Sequence, residues 1–85
     1  MKPSPTQQVR DWLENDLMAL VHLKYCREMN YGPEQTSQFL NAAVNGMVFE
    51  DEYWDFNPDH VDWKEIGNEA AEIFRKRAQR IMASN

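Results

Sequence analysis

Four oxygen-bearing side chains in the second half of the chain have a spacing that invites a test for a calcium site. They stand at roughly alternate positions, as the ligands of a calcium loop do. Such a loop needs glycine at its sixth position and glutamate at its twelfth, where this chain has His60 and Ile66. The pattern therefore favours a turn with capping side chains and predicts no metal site. The four residues are Asp55, Asn57, Asp59 and Asp62.

His22 and Cys26 are four residues apart and would share one face of a helix. This geometry permits an activated thiolate or half of a metal site. The alternative is a partly buried helix face, because free cysteine is usually a small core residue. The sequence contains no Gly-rich phosphate loop and no nucleophile elbow. We therefore expect no enzyme activity and no cofactor.

An eight-residue segment from Phe49 to Phe56 interleaves aromatic and acidic side chains. Aromatic rings anchor protein interfaces, and surrounding acids attract a basic partner. Tyr53, Trp54 and Asp55 are the expected anchors. The alternative is that Phe49, Trp54 and Phe56 close one end of a helical core while the acids are solvated.

Acidic residues continue beyond this segment, so that residues 50–72 contain nine acids and one base, Lys64. On a helix, Glu65, Glu69 and Glu72 would lie along one side. We expect a negative surface that mimics nucleic-acid phosphates and docks on a basic protein. The alternative is an ordinary solvated face paired with nearby bases. The predicted partner-binding residues are Glu50, Asp51, Glu52, Tyr53, Trp54, Asp55, Asp59, Asp62, Glu65, Glu69 and Glu72.

Three helical patterns must position these residues. The first opens with Ser4 as the capping residue and Pro5 at the first helical position, and it is expected to run to about Met29. Apolar residues at three- and four-residue spacing predict its core-facing stripe. These residues are Val9, Trp12, Leu13, Leu17, Leu20 and Leu23.

A second set of side chains makes the first helix apolar on more than one face. Such a helix is either sandwiched between other elements or binds something through the second face. A symmetric dimer contact is one interpretation, and it makes this face a candidate homodimer interface. The candidate oligomer residues are Met18, His22, Tyr25 and Met29.

The turn at residues 30–33 ends the first helix, with Gly32 free to adopt positive φ. A second helix is predicted from Pro33 to Phe49. Asn57-Pro58 then predicts a turn, and Asp62 caps a third helix. The predicted fold is all-α: a single domain over residues 1–85, built as a three-helix bundle with an acidic aromatic connector between the second and third helices.

Composition narrows the functional classes. The net charge of -5 disfavours direct nucleic-acid binding and favours a basic protein partner. One cysteine, no signal peptide and no membrane-length apolar run predict a cytoplasmic protein that does not bind membranes. Basic residues near the end of the chain leave a small nucleic-acid-binding regulator as an alternative. These residues are Arg75, Lys76, Arg77 and Arg80.

The sequence therefore predicts a small acidic inhibitor or modulator that binds a nucleic-acid-handling protein. Its size, acidity and helical content resemble those of phage anti-defence proteins, nuclease immunity proteins and antitoxins. This resemblance is one of composition. The other alternative is a homo-oligomeric structural or adaptor protein.

Overall fold

The computed structural model describes residues 2–50, 54 and 56–83, and for residues 48–50 it describes the backbone. Within these ranges the chain is all-α, as predicted, and contains four α-helices and no strand. A short 3-10 helix, Pro58–His60, precedes the last of them. The helices are α1 (Pro5–Asn15), α2 (Leu17–Glu28), α3 (Pro33–Glu50) and α4 (Trp63–Ala83).

The predicted first helix is two helices, because the chain breaks at Asp16. The backbone of Asp16 is extended, with φ -89° and ψ 138°. Its carboxylate accepts hydrogen bonds from the N–H groups of Met18 (2.8 Å) and Ala19 (3.2 Å), which caps the start of α2. Arg77 satisfies the end of α1, since its Nη1 donates to the carbonyl oxygens of Leu13 (2.8 Å) and Asp16 (2.7 Å).

The break overturns one core prediction. In a continuous helix Leu13 and Leu17 would follow each other on one stripe. In the structure Leu13 is fully buried, whereas Leu17 is exposed to solvent. The change of direction at Asp16 therefore removes Leu17 from the core.

The turn between α2 and α3 uses an asparagine, and not its glycine, for positive φ. Asn30, with φ 58°, is the residue in the left-handed region, and Gly32 does not have positive φ. Asparagine tolerates this conformation better than most residues. The N–H of Tyr31 bonds to the carbonyl of Cys26 (2.9 Å), which closes the end of α2.

The core lies where the four helices and the segment before α4 meet. Leu13, Leu40 and Ile66 are its largest fully buried side chains and come from three different helices. The other buried members, contributed mainly by the helices, are Val9, Trp12, Ala19, Leu23, Val44, Trp54, Val61, Ala70 and Ile73.

Residues 57–62 are held against the start of α1. The N–H of Asp62 donates to the Oγ1 atom of Thr6 (2.9 Å). The indole N–H of Trp63 donates to the carbonyl of Pro58 (2.9 Å). The Asp62 carboxylate accepts from the N–H of Glu65 (3.1 Å), so the predicted cap of the last helix is confirmed.

Helices α3 and α4 cross closely at Gly67. A Cβ atom at this position would lie 2.3 Å from the carbonyl oxygen of Pro33 and 2.9 Å from the Cβ of Ser37. Gly46, in contrast, has no described atom within 4 Å of such a Cβ. Two helical glycines thus occupy opposite packing environments.

Gly67→Ala is expected to lower the free energy of unfolding by about 1–3 kcal/mol, because overpacking outweighs the better helix propensity of alanine. Gly46→Ala is the matched control and should raise it by about 0.5–1 kcal/mol. Urea unfolding of both variants measures the two changes. Equal effects of the two substitutions would contradict the close crossing at Gly67.

Candidate protein-binding surface

The acidic connector, taken as residues 50–62, lies partly outside the described residues. Asp51, Glu52, Tyr53 and Asp55 are among the residues that are not described, and for Glu50 only the backbone is described. The predictions for these residues therefore stay predictions. Of the connector carboxylates, those of Asp59 and Asp62 are described, and both residues are exposed.

The structure places Trp54 in the core. Its side chain is 8% exposed, and its ring meets that of Trp12 edge to face, with centroids 5.8 Å apart. The ring of Phe56 also meets that of Trp54 edge to face, with centroids 5.4 Å apart. Trp54 and Phe56 thus pack as in the alternative of a closed core, and little of the Trp54 ring is left for a partner to contact. The side chain of Phe49, the third residue of that alternative, lies outside the described part of the chain.

Two predicted interface acids on α4, Glu65 and Glu69, are paired within the chain. Arg10 donates to Glu69 from Nε (2.7 Å) and Nη2 (3.1 Å), and its Nη2 also lies 3.1 Å from Glu65. The bonds to Glu69 raise the pKa of the Arg10 guanidinium above its ordinary value. No local pattern of residues signals this pairing, because Arg10 precedes these acids by more than fifty residues.

Glu72 is paired with bases of its own helix. Arg75 donates two hydrogen bonds to its carboxylate, and Lys76 lies 3.9 Å away. The hydrogen bonds from Arg75 hold the pKa of Glu72 below its ordinary value. Together with the Arg10 pairs, these contacts compensate much of the negative charge along α4.

The net negative charge of the protein therefore belongs to the connector. Residues 50–62 contain six acids and no lysine or arginine, whereas the rest of the chain contains eight acids and nine bases. Without the connector the remaining charge would be close to neutral. A basic partner would be attracted mainly to this side of the molecule.

The basic cluster of α4 is also largely engaged. Arg75 and Lys76 pair with Glu72, and Arg77 binds the carbonyls at the end of α1. Burial lowers the pKa of Arg77 from its ordinary value. These contacts give three of the four predicted nucleic-acid-contacting bases a role within the fold.

Helix α2 and its C-capping residue, Met29, expose an unusual amount of apolar surface. Five large apolar side chains on one face are between 42% and 71% exposed. Lys24 and Glu28 border them and lie 3.8 Å apart, so this border carries both signs of charge. Contiguous apolar exposure rimmed by polar residues is typical of protein-binding surfaces. This apolar face of α2 consists of Leu17, Met18, Val21, Tyr25 and Met29.

A row of aromatic rings joins the apolar face to the connector. His22 contacts both Trp12 and Phe39, and Tyr25 stacks on Phe39 with centroids 5.0 Å apart. Neighbouring rings along the row lie 5.0 to 6.2 Å apart, and burial is greatest at Trp54 and Trp12 and least at Tyr25. In order, the rings are Phe56, Trp54, Trp12, His22, Phe39, Tyr25 and Tyr31.

Three of the four predicted oligomer residues belong to this surface. Met18, Tyr25 and Met29 are exposed, whereas His22 is half-buried between two rings. Sequence periodicity predicted a second apolar face but assigned Leu17 to the core. Leu17 and Val21 complete the face because the helix changes direction at Asp16.

Cys26 does not lie in an environment that would activate a thiolate. Its side chain is 3% exposed, and burial raises the pKa of the thiol, while a hydrogen bond with Thr36 acts in the opposite direction. The thiol is therefore protonated at neutral pH.

Two of the four oxygen-bearing side chains compared with a calcium loop, Asn57 and Asp62, accept hydrogen bonds from backbone N–H groups. Asn57 accepts from the N–H of Asp59, and Asp62 caps α4. In the part of the chain that the structure describes, no group of three or more His, Cys, Asp and Glu side chains is arranged to hold a metal ion.

Comparison with known proteins gives no relative from which to infer a function. The chain matches no protein-family model, and the searches among characterised proteins and solved structures found no match. In the described part of the chain, no helix has both the length and the apolar character needed to cross a membrane.

Cys26 is expected to react with a thiol reagent at least about a hundredfold more slowly in the native protein than in urea, because its thiol is buried and protonated. The rate of 5,5′-dithiobis(2-nitrobenzoate) consumption measures this difference. Fast reaction of the native protein at neutral pH would revive the activated-thiolate hypothesis.

Proposed function

We propose that this chain is a non-catalytic protein-binding protein that inhibits or modulates a partner with a basic surface. The apolar face of α2 carries the proposal, because leaving five large apolar side chains in water is unfavourable unless a partner covers them. Methionine and tyrosine supply much of this face, and both are enriched at protein interfaces.

The charge of the connector supports a basic partner. Six acids in residues 50–62 supply the whole net negative charge, and complementary charge increases association rates. In the proposed complex, electrostatics orient the partner and the apolar face of α2 provides most of the binding free energy. A nucleic-acid-handling protein is the class of partner that combines a basic surface with a need for inhibition or modulation.

The proposed location is the cytoplasm. A chain with one cysteine, buried and held as a thiol, suits a reducing compartment.

A second candidate function is self-association through the same face. The centre of the apolar face of α2 contains no charged residue, so two copies could pack it together without burying a charge. In this case the protein would be a homo-oligomeric structural or adaptor protein.

A tagged pull-down from nuclease-treated lysate of the native host tests the proposal. Replacing Met18, Tyr25 and Met29 together by alanine should weaken retention of the partner at least about tenfold, since each removes apolar contact area. A matched control replaces Glu34, Gln35 and Gln38, three exposed polar residues of α3, by alanine and should retain the partner.

The outcomes separate the two functions. Loss of a basic protein with the α2 variant alone supports the proposed function. Recovery of only further copies of this chain, again lost with the α2 variant, favours self-association. Equal retention by wild type, α2 variant and control contradicts both. Circular dichroism melting verifies that each variant is folded.

A further inference from the structure

Two methionines lie at opposite ends of the apolar face of α2. Met18 is in the first turn of the helix and Met29 is its C-capping residue, so about 16 Å of helix axis separates them. Their side chains are 55% and 51% exposed. Solvent therefore reaches a methionine side chain at each end of the face.

The other described methionines have different surroundings. Met47 on α3 is partly buried and packs against the core. Met82, near the end of α4, is 76% exposed and does not belong to the apolar face of α2. The fold thus protects one methionine, exposes one away from the face, and exposes two within the face.

The cysteine, which is often the first sulfur to react with an oxidant, is shielded. Cys26 is buried, and burial raises the pKa of its thiol. Rapid oxidation of cysteine needs an accessible thiolate. A thioether has no proton to lose, so access to the sulfur is enough for its oxidation. Among the described residues, the exposed methionines are therefore the sulfur atoms that an oxidant in solution reaches.

We propose that hydrogen peroxide oxidises Met18 and Met29 to methionine sulfoxide and thereby releases the partner from the apolar face of α2. The inference rests on the proposed function, because it adds regulation to the surface that binds the partner. In the reaction, a lone pair of the thioether sulfur attacks one peroxide oxygen and the O–O bond breaks. The sulfur gives up two electrons as the S–O bond forms, and the second oxygen takes both peroxide protons and leaves as water.

A sulfoxide changes the face because its oxygen is a hydrogen-bond acceptor that water solvates. A partner that covers the face must remove this water, which is unfavourable unless the partner supplies a donor. Leu17, Val21 and Tyr25 keep their apolar surface, so the new polar groups lie at the two ends of the face. We expect the two sulfoxides together to weaken binding at least about tenfold.

The same oxidation should leave the fold intact. Helix α2 packs through Ala19, Leu23 and Cys26, and neither methionine of the face belongs to the core. Loss of the partner would therefore come from the changed surface and not from unfolding. Methionine sulfoxide reductases restore the thioether, which makes the change reversible.

Peptide mass spectrometry of the purified full chain after peroxide treatment measures the reactivity of each methionine. Met18 and Met29 should be oxidised at rates within about threefold of the rate at Met82 and at least about fivefold faster than Met47, because exposure controls access to the sulfur. Oxidation of the face no faster than that of Met47 would overturn the proposal.

The native-host pull-down with treated protein measures the effect on binding. Catalase removes the peroxide before the lysate is added, so that only this chain is oxidised. Treated wild type should retain at least about tenfold less partner than untreated wild type. Incubation of the treated chain with methionine sulfoxide reductases should restore retention.

Two leucine variants make the test specific. The double variant Met18→Leu, Met29→Leu removes both sulfur atoms of the face at nearly constant volume, so it should bind the partner before and after peroxide treatment. Met82→Leu is the matched control, because it removes an exposed methionine outside the face. This control should lose the partner on treatment, as wild type does.

Retention unchanged by treatment, or an equal loss in wild type and the double leucine variant, would overturn the proposed regulation. Circular dichroism melting distinguishes release from unfolding, and an unfolded treated chain would also overturn it. If the untreated triple alanine variant of α2 loses the partner while oxidised wild type keeps it, the proposed function stands and the regulation fails. If the untreated triple alanine variant keeps the partner, the proposed function fails and the regulation fails with it.

Discussion

The break between α1 and α2 is the constraint on which the exposed surface depends. Two oppositely charged side chains hold it, since Asp16 caps the N–H groups that begin α2 and Arg77 binds the carbonyls that end α1. Each group supplies hydrogen bonds that an unbroken helix would have made within itself. The chain therefore turns without leaving these backbone groups unsatisfied.

The change of direction decides which side chains meet the core. Leu13, before the break, is fully buried, and Leu17, one turn later, is exposed. Helix α2 packs through Ala19, Leu23 and Cys26 and leaves its opposite face in water. A straight helix of the same residues would have one core stripe throughout, and Leu17 would lie on it.

Charge and apolar surface occupy connected parts of the molecule and have different physical roles. The acids of α4 are paired with Arg10 and Arg75, so the connector supplies the net charge. Long-range attraction acts before contact and is weakened by salt, whereas apolar burial acts at contact and is much less sensitive to it. The aromatic row from Trp54 to Tyr25 joins the two parts.

Local signals in the sequence were sufficient for most of the fold. The capping residues Ser4 and Asp62, the turn at Pro58 and the apolar periodicity of α3 and α4 predicted the elements that the structure contains. These features depend on residues within a few positions of each other. Short-range hydrogen bonds and side-chain spacing determine them.

The features that the sequence did not predict depend on contacts between distant residues or on competition between local signals. The apolar periodicity of residues 5–29 continues through Asp16, so the tendency of Asp16 to cap a new helix is not evident from the sequence. Arg77, from the other end of the chain, donates to the Asp16 carbonyl and stabilises the break. The pairing of Arg10 with Glu69 is equally non-local. The residues around Trp54 in the sequence allowed either a core role or an interface role. The packing of its ring against Trp12 shows that it lies in the core.

Site-specific photo-crosslinking in the native host tests the central claim that the apolar face of α2 binds another protein. A photoreactive phenylalanine analogue at Met18 probes this face, and the same analogue at Gln38 probes the exposed side of α3. We expect a discrete crosslinked product from position 18 and none from position 38. Crosslinking from position 38 alone, or from neither position while the protein is folded and abundant, would contradict it.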